Sequence, residues 1–145
     1  MRRFTLLALA LLWQTSSVRA EGAINTNETP YAIGGYDPVA YFADGKPARG
    51  KPEHVAPFRG AHWLFASAEH RTLFVANPER YLPQYDRYCA YGVSRGYLVK
   101  VDPAAFTIRG DKLYLNYSLD IRSQWLADVA ERIRSADRLF PTLKH

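Results

Sequence analysis

The apolar residues of this chain are concentrated first in a short block near its N-terminus. Residues 4–13 (FTLLALALLW) form an almost unbroken apolar run that follows Arg2 and Arg3. A polar stretch comes next and ends in Val18-Arg19-Ala20, where small or slim residues suit signal peptidase. The run is too short to span a bilayer comfortably, which disfavours the alternative of an uncleaved membrane anchor. The pattern therefore predicts a cleavable signal peptide over residues 1–20.

Beyond the predicted cleavage site, alternating apolar and polar positions indicate β-strands joined by tight turns. Such alternation places every second side chain on the same face of a strand, and Gly-containing turn pairs mark hairpins. The predicted hairpins are 55–58 with 62–66 around Arg59-Gly60, and 106–109 with 113–117 around Gly110-Asp111. A further short strand is predicted at residues 98–101.

Helices are predicted where a capping residue precedes a suitable segment. Asp37-Pro38 opens a short helix, because Asp is a good N-cap and proline suits the first helical position. Ser67 is the predicted N-cap of a helix over residues 68–76. Ser118 caps the longest predicted helix, over residues 119–137. Apolar residues recur every four positions along it, at Ile121, Trp125, Val129 and Ile133.

Together these elements predict an α+β fold, in which a small antiparallel sheet with short helices is closed by a C-terminal amphipathic helix. Residues 21–30 (EGAINTNETP) are polar and lack periodicity, so we expect a flexible leader there. Residues 31–145 are then predicted to form a single domain. This length suits one domain with a real core and no need for disulfides.

The charge of the chain excludes one class of partner. The full sequence carries 19 Lys and Arg against 14 Asp and Glu, for a net charge of +5. Three of those arginines (Arg2, Arg3 and Arg19) belong to the predicted signal peptide, so the mature chain has 16 against 14 and a net charge of +2. Without a basic patch, nucleic-acid binding is not expected. After cleavage we also expect no stable membrane insertion and a periplasmic or secreted location.

The chain contains a single cysteine, Cys89. An exported chain with one cysteine cannot form an internal disulfide, and it has no Cys-x-x-Cys pair for a dithiol cycle. Three interpretations of Cys89 stay open: a buried inert thiol, an intermolecular disulfide partner, or a reactive or metal-binding thiol.

Six short segments share a pattern that extends over most of the mature chain. They are GYDPVAYF (35–42), GAHWLFASAEHRTLF (60–74), NPERYL (77–82), QYDRYCAYGV (84–93), KVDPAAF (100–106) and KLYLNY (112–117). The first three resemble the YHS domain family, and the last three are similar to its exported, signal-peptide-bearing branch, in which a single cysteine lies in a YCAYG segment. The resemblance implies a YHS-like α+β fold.

The resemblance also bears on metal binding. Typical YHS domains carry a cysteine soon after Asp-Pro-Val and a Cys-x-x-x-Cys pair where strand meets helix. The corresponding residues here are Ala40, Ala66 and His70, so the thiolates that would select a metal at those positions are missing. Cys89 is retained, and some similar proteins have selenocysteine at the matching position, which implies redox or nucleophilic chemistry there.

Cys89 is the candidate catalytic residue if the protein works in redox chemistry. Reactivity requires the thiolate, and Arg87, Arg95 or the N–H groups of a helix start would lower the pKa of Cys89. With His62 and His70, Cys89 would instead form a site suited to copper or another soft transition metal. His62 and His70 also have an ordinary interpretation as surface residues.

Tyr85, Tyr88 and Tyr91 flank Cys89 and are candidates for an apolar pocket, although tyrosines more commonly pack in a core. The sequence thus leaves three hypotheses. The first is an accessory protein that binds a soft metal or acts in thiol redox chemistry, together with a metal or redox partner protein. The second is a thiol-dependent oxidoreductase with Cys89 as nucleophile. The third is a structural or interaction module with Cys89 in its core.

Overall fold

The computed structural model describes residues 29–144, which form an α+β arrangement of short elements. The predicted signal peptide and residues 21–28 of the predicted leader lie outside the described residues. In chain order the α-helices and strands are α1 (Ala40–Ala43), β1 (Lys51–Phe58), β2 (Ala61–Phe65), α2 (Ala68–Ala76), α3 (Pro78–Tyr81), α4 (Ala90–Ser94), β3 (Asp102–Arg109), β4 (Lys112–Asn116), α5 (Leu119–Ala127) and α6 (Val129–Leu139). Short 3-10 turns lie at Ala32–Gly35, Tyr85–Arg87 and Phe140–Thr142. Within this part of the chain, no helix is both long and apolar enough to cross a membrane.

β1 and β2 form the first antiparallel hairpin, which confirms the alternating pattern. Arg59 and Gly60 at its turn have φ values of 48° and 72°. Positive φ at both central residues gives the turn the twist that matches its two strands. β1 begins earlier than predicted, at Lys51, and its pairing with β2 is irregular between Lys51 and Val55.

β3 and β4 form the second antiparallel hairpin, also as predicted. Its turn residues Gly110 and Asp111 have φ values of 56° and 57°, the same left-handed conformation as in the first hairpin. β3 begins at Asp102, four residues before the predicted strand, and its register shifts between Asp102 and Phe106.

The expectation of one small sheet is wrong, because the two hairpins form separate two-stranded sheets. The strand predicted at residues 98–101 is wrong as well, since that segment has no regular secondary structure. Its carbonyl at Val99 accepts a hydrogen bond from the N–H of Cys89 at 2.9 Å, so it supports the start of α4 and not a strand ladder. The short stretch is therefore held by contact with a helix terminus.

The predicted serine N-caps are confirmed at both longer helices. Ser67 Oγ accepts a hydrogen bond from the N–H of His70 at 3.1 Å at the start of α2. Ser118 Oγ accepts one from the N–H of Ile121 at 3.1 Å at the start of α5. Each bond satisfies a backbone donor that the first helical turn leaves without a partner.

The long C-terminal helix predicted from the apolar spacing is broken into α5 and α6. Asp128 separates them with φ −142° and ψ 45°, outside the helical region. Trp125 ends fully buried near the end of α5, while Val129 and Ile133 of α6 pack against the same core. The four-residue spacing thus identified the buried face correctly, but the change of direction lies between two of its members.

Among the described residues, the buried side chains form two hydrophobic clusters that meet at the segment around Cys89. The first contains aromatic and aliphatic side chains of both hairpins and α2, including Trp63, Phe65, Phe74, Leu113 and Leu115. The second contains residues from α4, α5 and α6 and from β4, including Val93, Tyr114, Trp125 and Ala136. Cys89 belongs to the first cluster, its neighbour Ala90 to the second, and Tyr91 packs against both. The start of α4 is therefore held from two sides.

Candidate functional site

A tightly turned loop positions Cys89 at the start of α4. Tyr85, Asp86 and Arg87 have successive φ values of 59°, 48° and 68°, a left-handed run that side chains rarely adopt. The chain then becomes extended, and Cys89 is the N-cap of α4. Cys89 thus lies at a helix start, which is the position that the sequence leads us to expect of a reactive thiol.

The Cys89 sulfur lies among backbone N–H donors. Sγ accepts hydrogen bonds from the N–H groups of Gly92 at 3.4 Å and Tyr117 at 3.3 Å. The thiol in turn donates to Oδ1 of Asn116 at 3.5 Å. That oxygen also accepts from the N–H of Tyr91 at 3.0 Å, which fixes the orientation of the amide. Nδ2 of Asn116 is buried and has no hydrogen-bond partner among residues 29–144.

Burial opposes these donors in setting the charge of the thiol. Cys89 is 1% exposed, and this desolvation raises its pKa, while the backbone N–H groups of Gly92, Tyr117 and Tyr91 act in the opposite direction. Because the net effect is a raised pKa, Cys89 is a neutral thiol at neutral pH. The surroundings favour the protonated form at rest.

The two arginines expected to activate Cys89 have other contacts. The Arg87 guanidinium carbon lies 5.3 Å from the centre of the Trp63 ring. Arg95 contacts the Tyr91 ring, and its Nη1 donates to the Tyr91 hydroxyl at 3.4 Å. The prediction that Arg87 and Arg95 lower the pKa of Cys89 is wrong, since that pKa is raised by burial and lowered only by backbone donors.

A cavity of about 180 Å³ adjoins the sulfur. Its lining combines apolar side chains with the thiol, from Cys89, Tyr91, Gly92, Val99, Tyr117 and Ile121. Gly92 is closely packed, because a Cβ there would come within 3.1 Å of Val99 Cγ2 and 3.2 Å of the Tyr97 carbonyl oxygen. The cavity can accept a small apolar molecule beside Cys89.

His70 and His62 lie in different surroundings from Cys89. Nδ1 of His70 is 2.6 Å from Oδ2 of the fully buried Asp37, so this ring is held by a carboxylate. His62 is an exposed position of β2. Within residues 29–144, no group of three or more His, Cys, Asp or Glu side chains is arranged to hold a metal ion.

The three candidate pocket tyrosines also separate. Tyr91 lines the cavity beside Cys89, whereas Tyr85 lines a second cavity next to Arg87. Tyr88 packs against the second hydrophobic cluster. Tyr85 further donates its hydroxyl to Asp137 Oδ1 at 2.8 Å, which ties the loop to α6.

Sequence reasoning missed two residues of these sites. The sequence predicts Asn116 within a strand, and no local signal indicates that its amide would turn towards Cys89. The sequence predicts only an N-cap role for Asp37, but its Oδ2 also accepts from the N–H of Ala66 at 2.9 Å and contacts His70. An Asp and a His that are 33 residues apart show no spacing motif.

Comparisons of the chain with protein-family models, with curated proteins and with solved structures return no match. The likeness to the YHS family consequently stays an expectation from the sequence. The arrangement around Cys89 is the basis on which a function can be proposed.

Proposed function

We propose that this chain is an exported, YHS-domain-like protein that performs thiol redox chemistry through Cys89. The observation that carries the proposal is the convergence of two backbone N–H groups on Sγ at the edge of an apolar cavity. Such donors stabilise negative charge as it develops on sulfur, at no cost of reorganisation. Burial keeps the resting thiol protonated, and the two N–H groups stabilise the negative charge that develops on sulfur when it reacts.

The lining of the cavity favours an apolar oxidant, and we propose an organic hydroperoxide. Val99 and Ile121 provide an apolar wall beside the sulfur. In the reaction, the sulfur attacks the terminal peroxide oxygen, an S–O bond forms and the O–O bond breaks. The thiol proton leaves the sulfur, the alkoxide gains a proton, and the products are cysteine sulfenic acid and an alcohol.

Recovery of the thiol requires a partner, because Cys89 is the only cysteine of the chain. A thiol of a redox partner protein would condense with the sulfenic acid, forming a mixed disulfide and releasing water. A second thiol of that partner would then displace Cys89 and leave the partner oxidised. The opening next to the exposed Tyr117 would have to admit the partner's sulfur.

The soft-metal form of the hypothesis has less support from the same residues. Copper would need further soft donors, whereas His70 is engaged by Asp37 and His62 is exposed on β2. A metal site at Cys89 would draw its remaining ligands from a partner protein. Protection of Cys89 from alkylation by one equivalent of Cu(I) would favour this form over the redox form.

A structural role for Cys89 is the second candidate, and a specific observation favours it. Cys89 is 1% exposed, its pKa is raised by burial, and it belongs to the first hydrophobic cluster. A buried free cysteine behaves as a small hydrophobic residue. In that case Cys89→Ala would lower stability and no reactivity would be lost.

Trapping of the sulfenic acid separates the redox and structural roles. The folded protein is treated with cumene hydroperoxide or with hydrogen peroxide, followed by dimedone and mass spectrometry. The redox proposal predicts one dimedone adduct at Cys89, formed faster with cumene hydroperoxide, and none in Cys89→Ala. Absence of the adduct while the thiol of unfolded protein is labelled readily would overturn it.

A further inference from the structure

A second cavity, of about 210 Å³, lies beside the left-handed loop that precedes Cys89. It is bordered by residues from the first hairpin turn, α3, the loop and the C-terminal segment, among them Arg59, Glu79, Leu82, Tyr85, Arg87 and Phe140. Cys89 is not among its lining residues. The chemistry proposed above therefore leaves this cavity without a role.

Arg87 is the unusual member of this lining. It is 1% exposed, yet Nη1 and Nη2 of its guanidinium are buried without a hydrogen-bond partner in the part of the chain that the structure describes. Only Nε is engaged, by the Asp86 carbonyl oxygen at 3.3 Å, while the face of the group lies over Trp63. Leaving a buried charged donor unpaired is costly, so native proteins seldom do so without a reason.

The backbone holds Arg87 in this position by an unfavourable conformation. The run of positive φ values at Tyr85, Asp86 and Arg87 places three side-chain-bearing residues in the left-handed region. Each such residue carries a conformational cost that the surrounding contacts must offset. The loop is anchored by the Tyr85 hydroxyl on Asp137 and by the N–H of Gln84, which donates to the Leu113 carbonyl at 2.9 Å.

The remaining charges of the cavity determine what kind of ligand fits. Arg59 forms an ion pair with Glu79, and both side chains are largely exposed. Asp86 also borders the cavity, so two acidic residues face it in addition to the two arginines. A doubly charged phosphate would be repelled by these acids, whereas a single negative charge would be matched by the free Nη groups of Arg87. Leu82 and Phe140 supply an apolar side.

We propose that this cavity binds a small organic monocarboxylate, held by Nη1 and Nη2 of Arg87. The planar guanidinium presents parallel N–H donors whose spacing matches the oxygens of a carboxylate. A short apolar substituent of the ligand would lie against Leu82 and Phe140. Burial lowers the pKa of Arg87 to about 10, and the charge of Asp86 acts in the opposite direction. Because this pKa stays well above neutral pH, the guanidinium is charged.

Titration of the purified protein with propionate tests the proposal, with inorganic phosphate and chloride as comparison anions. The direct readout is the ¹H–¹⁵N signal of the Arg87 Nε–H group, and calorimetry gives the affinity. We expect saturable binding of propionate at one site, weaker binding of phosphate, and no effect of chloride. No saturable shift with propionate, or tighter binding of phosphate, would overturn the proposal.

Matched variants locate the binding energy. Arg87→Met keeps an unbranched apolar stem and removes the donors, and we expect it to weaken propionate binding by about tenfold or more. Arg49→Met is the control, since Arg49 is an exposed arginine stacked on Tyr36 and does not border the cavity. Equal affinity in Arg87→Met and the wild type would contradict the assignment. Should Arg87→Met fail to fold, Arg87→Lys tests the same loss of the planar donor pair.

Discussion

Asp37 joins two helices and a strand end through one buried carboxylate. Oδ1 accepts from the N–H groups of Val39 at 2.8 Å and Ala40 at 3.3 Å, which start α1. Oδ2 accepts from the N–H of Ala66 at 2.9 Å, directly after β2, and contacts Nδ1 of His70 in α2 at 2.6 Å. Replacement of Asp37 by Ala therefore removes all of these contacts at once.

The magnitude follows from the two oxygens taken separately. Loss of a helix cap costs about 1 kcal/mol, and leaving the partly buried donors of Ala66 and His70 without an acceptor costs about 1–3 kcal/mol more. We expect Asp37→Ala to lower the free energy of unfolding by about 2–4 kcal/mol. Urea denaturation followed by circular dichroism measures this as a reduced midpoint.

Asp44→Ala is the matched control for this prediction. Asp44 is exposed and follows α1 directly, and replacing it by Ala removes the same charge from the same region. We expect a change within about 0.5 kcal/mol, as for most surface substitutions. If Asp37→Ala cost no more than Asp44→Ala, the buried carboxylate would not be the link between α1, β2 and α2 that its contacts indicate.

Three further substitutions or conditions test other parts of the structure. Stability should fall as pH rises above about 8.5, because the raised pKa of Cys89 lets the folded state keep a proton that the unfolded chain releases. Burial also raises the pKa values of Tyr41, Tyr85 and Tyr114, which add to this fall near about pH 10. Cys89→Ala should therefore make urea midpoints fall less steeply between about pH 8.5 and 10, and an unchanged slope would contradict this. Gly50→Ala should lower the free energy of unfolding in urea by about 2 kcal/mol or more, since its Cβ would lie 2.4 Å from Leu64 Cβ. A loss below about 1 kcal/mol would show that the backbone just before β1 can move away from Leu64 in β2. Tyr41→Phe removes the hydroxyl that donates to the Pro103 carbonyl at 2.8 Å and should lower the thermal midpoint by the equivalent of about 1 kcal/mol, whereas no change would indicate a dispensable bond.

The features that could be predicted from the sequence are those that depend on neighbouring residues. Ser67 and Ser118 cap helices because their hydroxyls reach N–H groups three positions along the chain. The Arg59-Gly60 and Gly110-Asp111 turns bring adjacent strands together by their own backbone conformation. These short-range interactions located both hairpins and the N-termini of α2 and α5.

Features that depend on distant contacts could not be read in this way. The apolar spacing from Ile121 to Ile133 continues through Asp128, so it gives no sign that the helix breaks there. The same alternation of apolar and polar residues along each strand fits one four-stranded sheet or two separate hairpins. The two arrangements differ only in which strands pair. Strand pairing across the two hairpins is a tertiary property.

The candidate site was located by the sequence only as far as its central residue. A lone cysteine near two arginines suggests a lowered pKa, but Arg87 is directed over Trp63 and the thiol is buried. Burial sets the sign of the pKa shift against the backbone donors, and the burial of Cys89 is not visible in the order of residues. The N–H donors of Gly92 in α4 and of Tyr117 just after β4 lie 25 positions apart in the chain.

Alkylation of Cys89 in the folded protein tests the redox role most directly. The rate with iodoacetamide is measured across pH in the wild type and in Asp37→Ala, whose destabilisation should leave the cavity beside Cys89 unchanged. A redox thiol reached through that cavity should react at similar rates in both proteins, with a pH midpoint above about 8.5. If the reaction accelerates in Asp37→Ala in proportion to its loss of stability, Cys89 reacts only after unfolding and its role is structural.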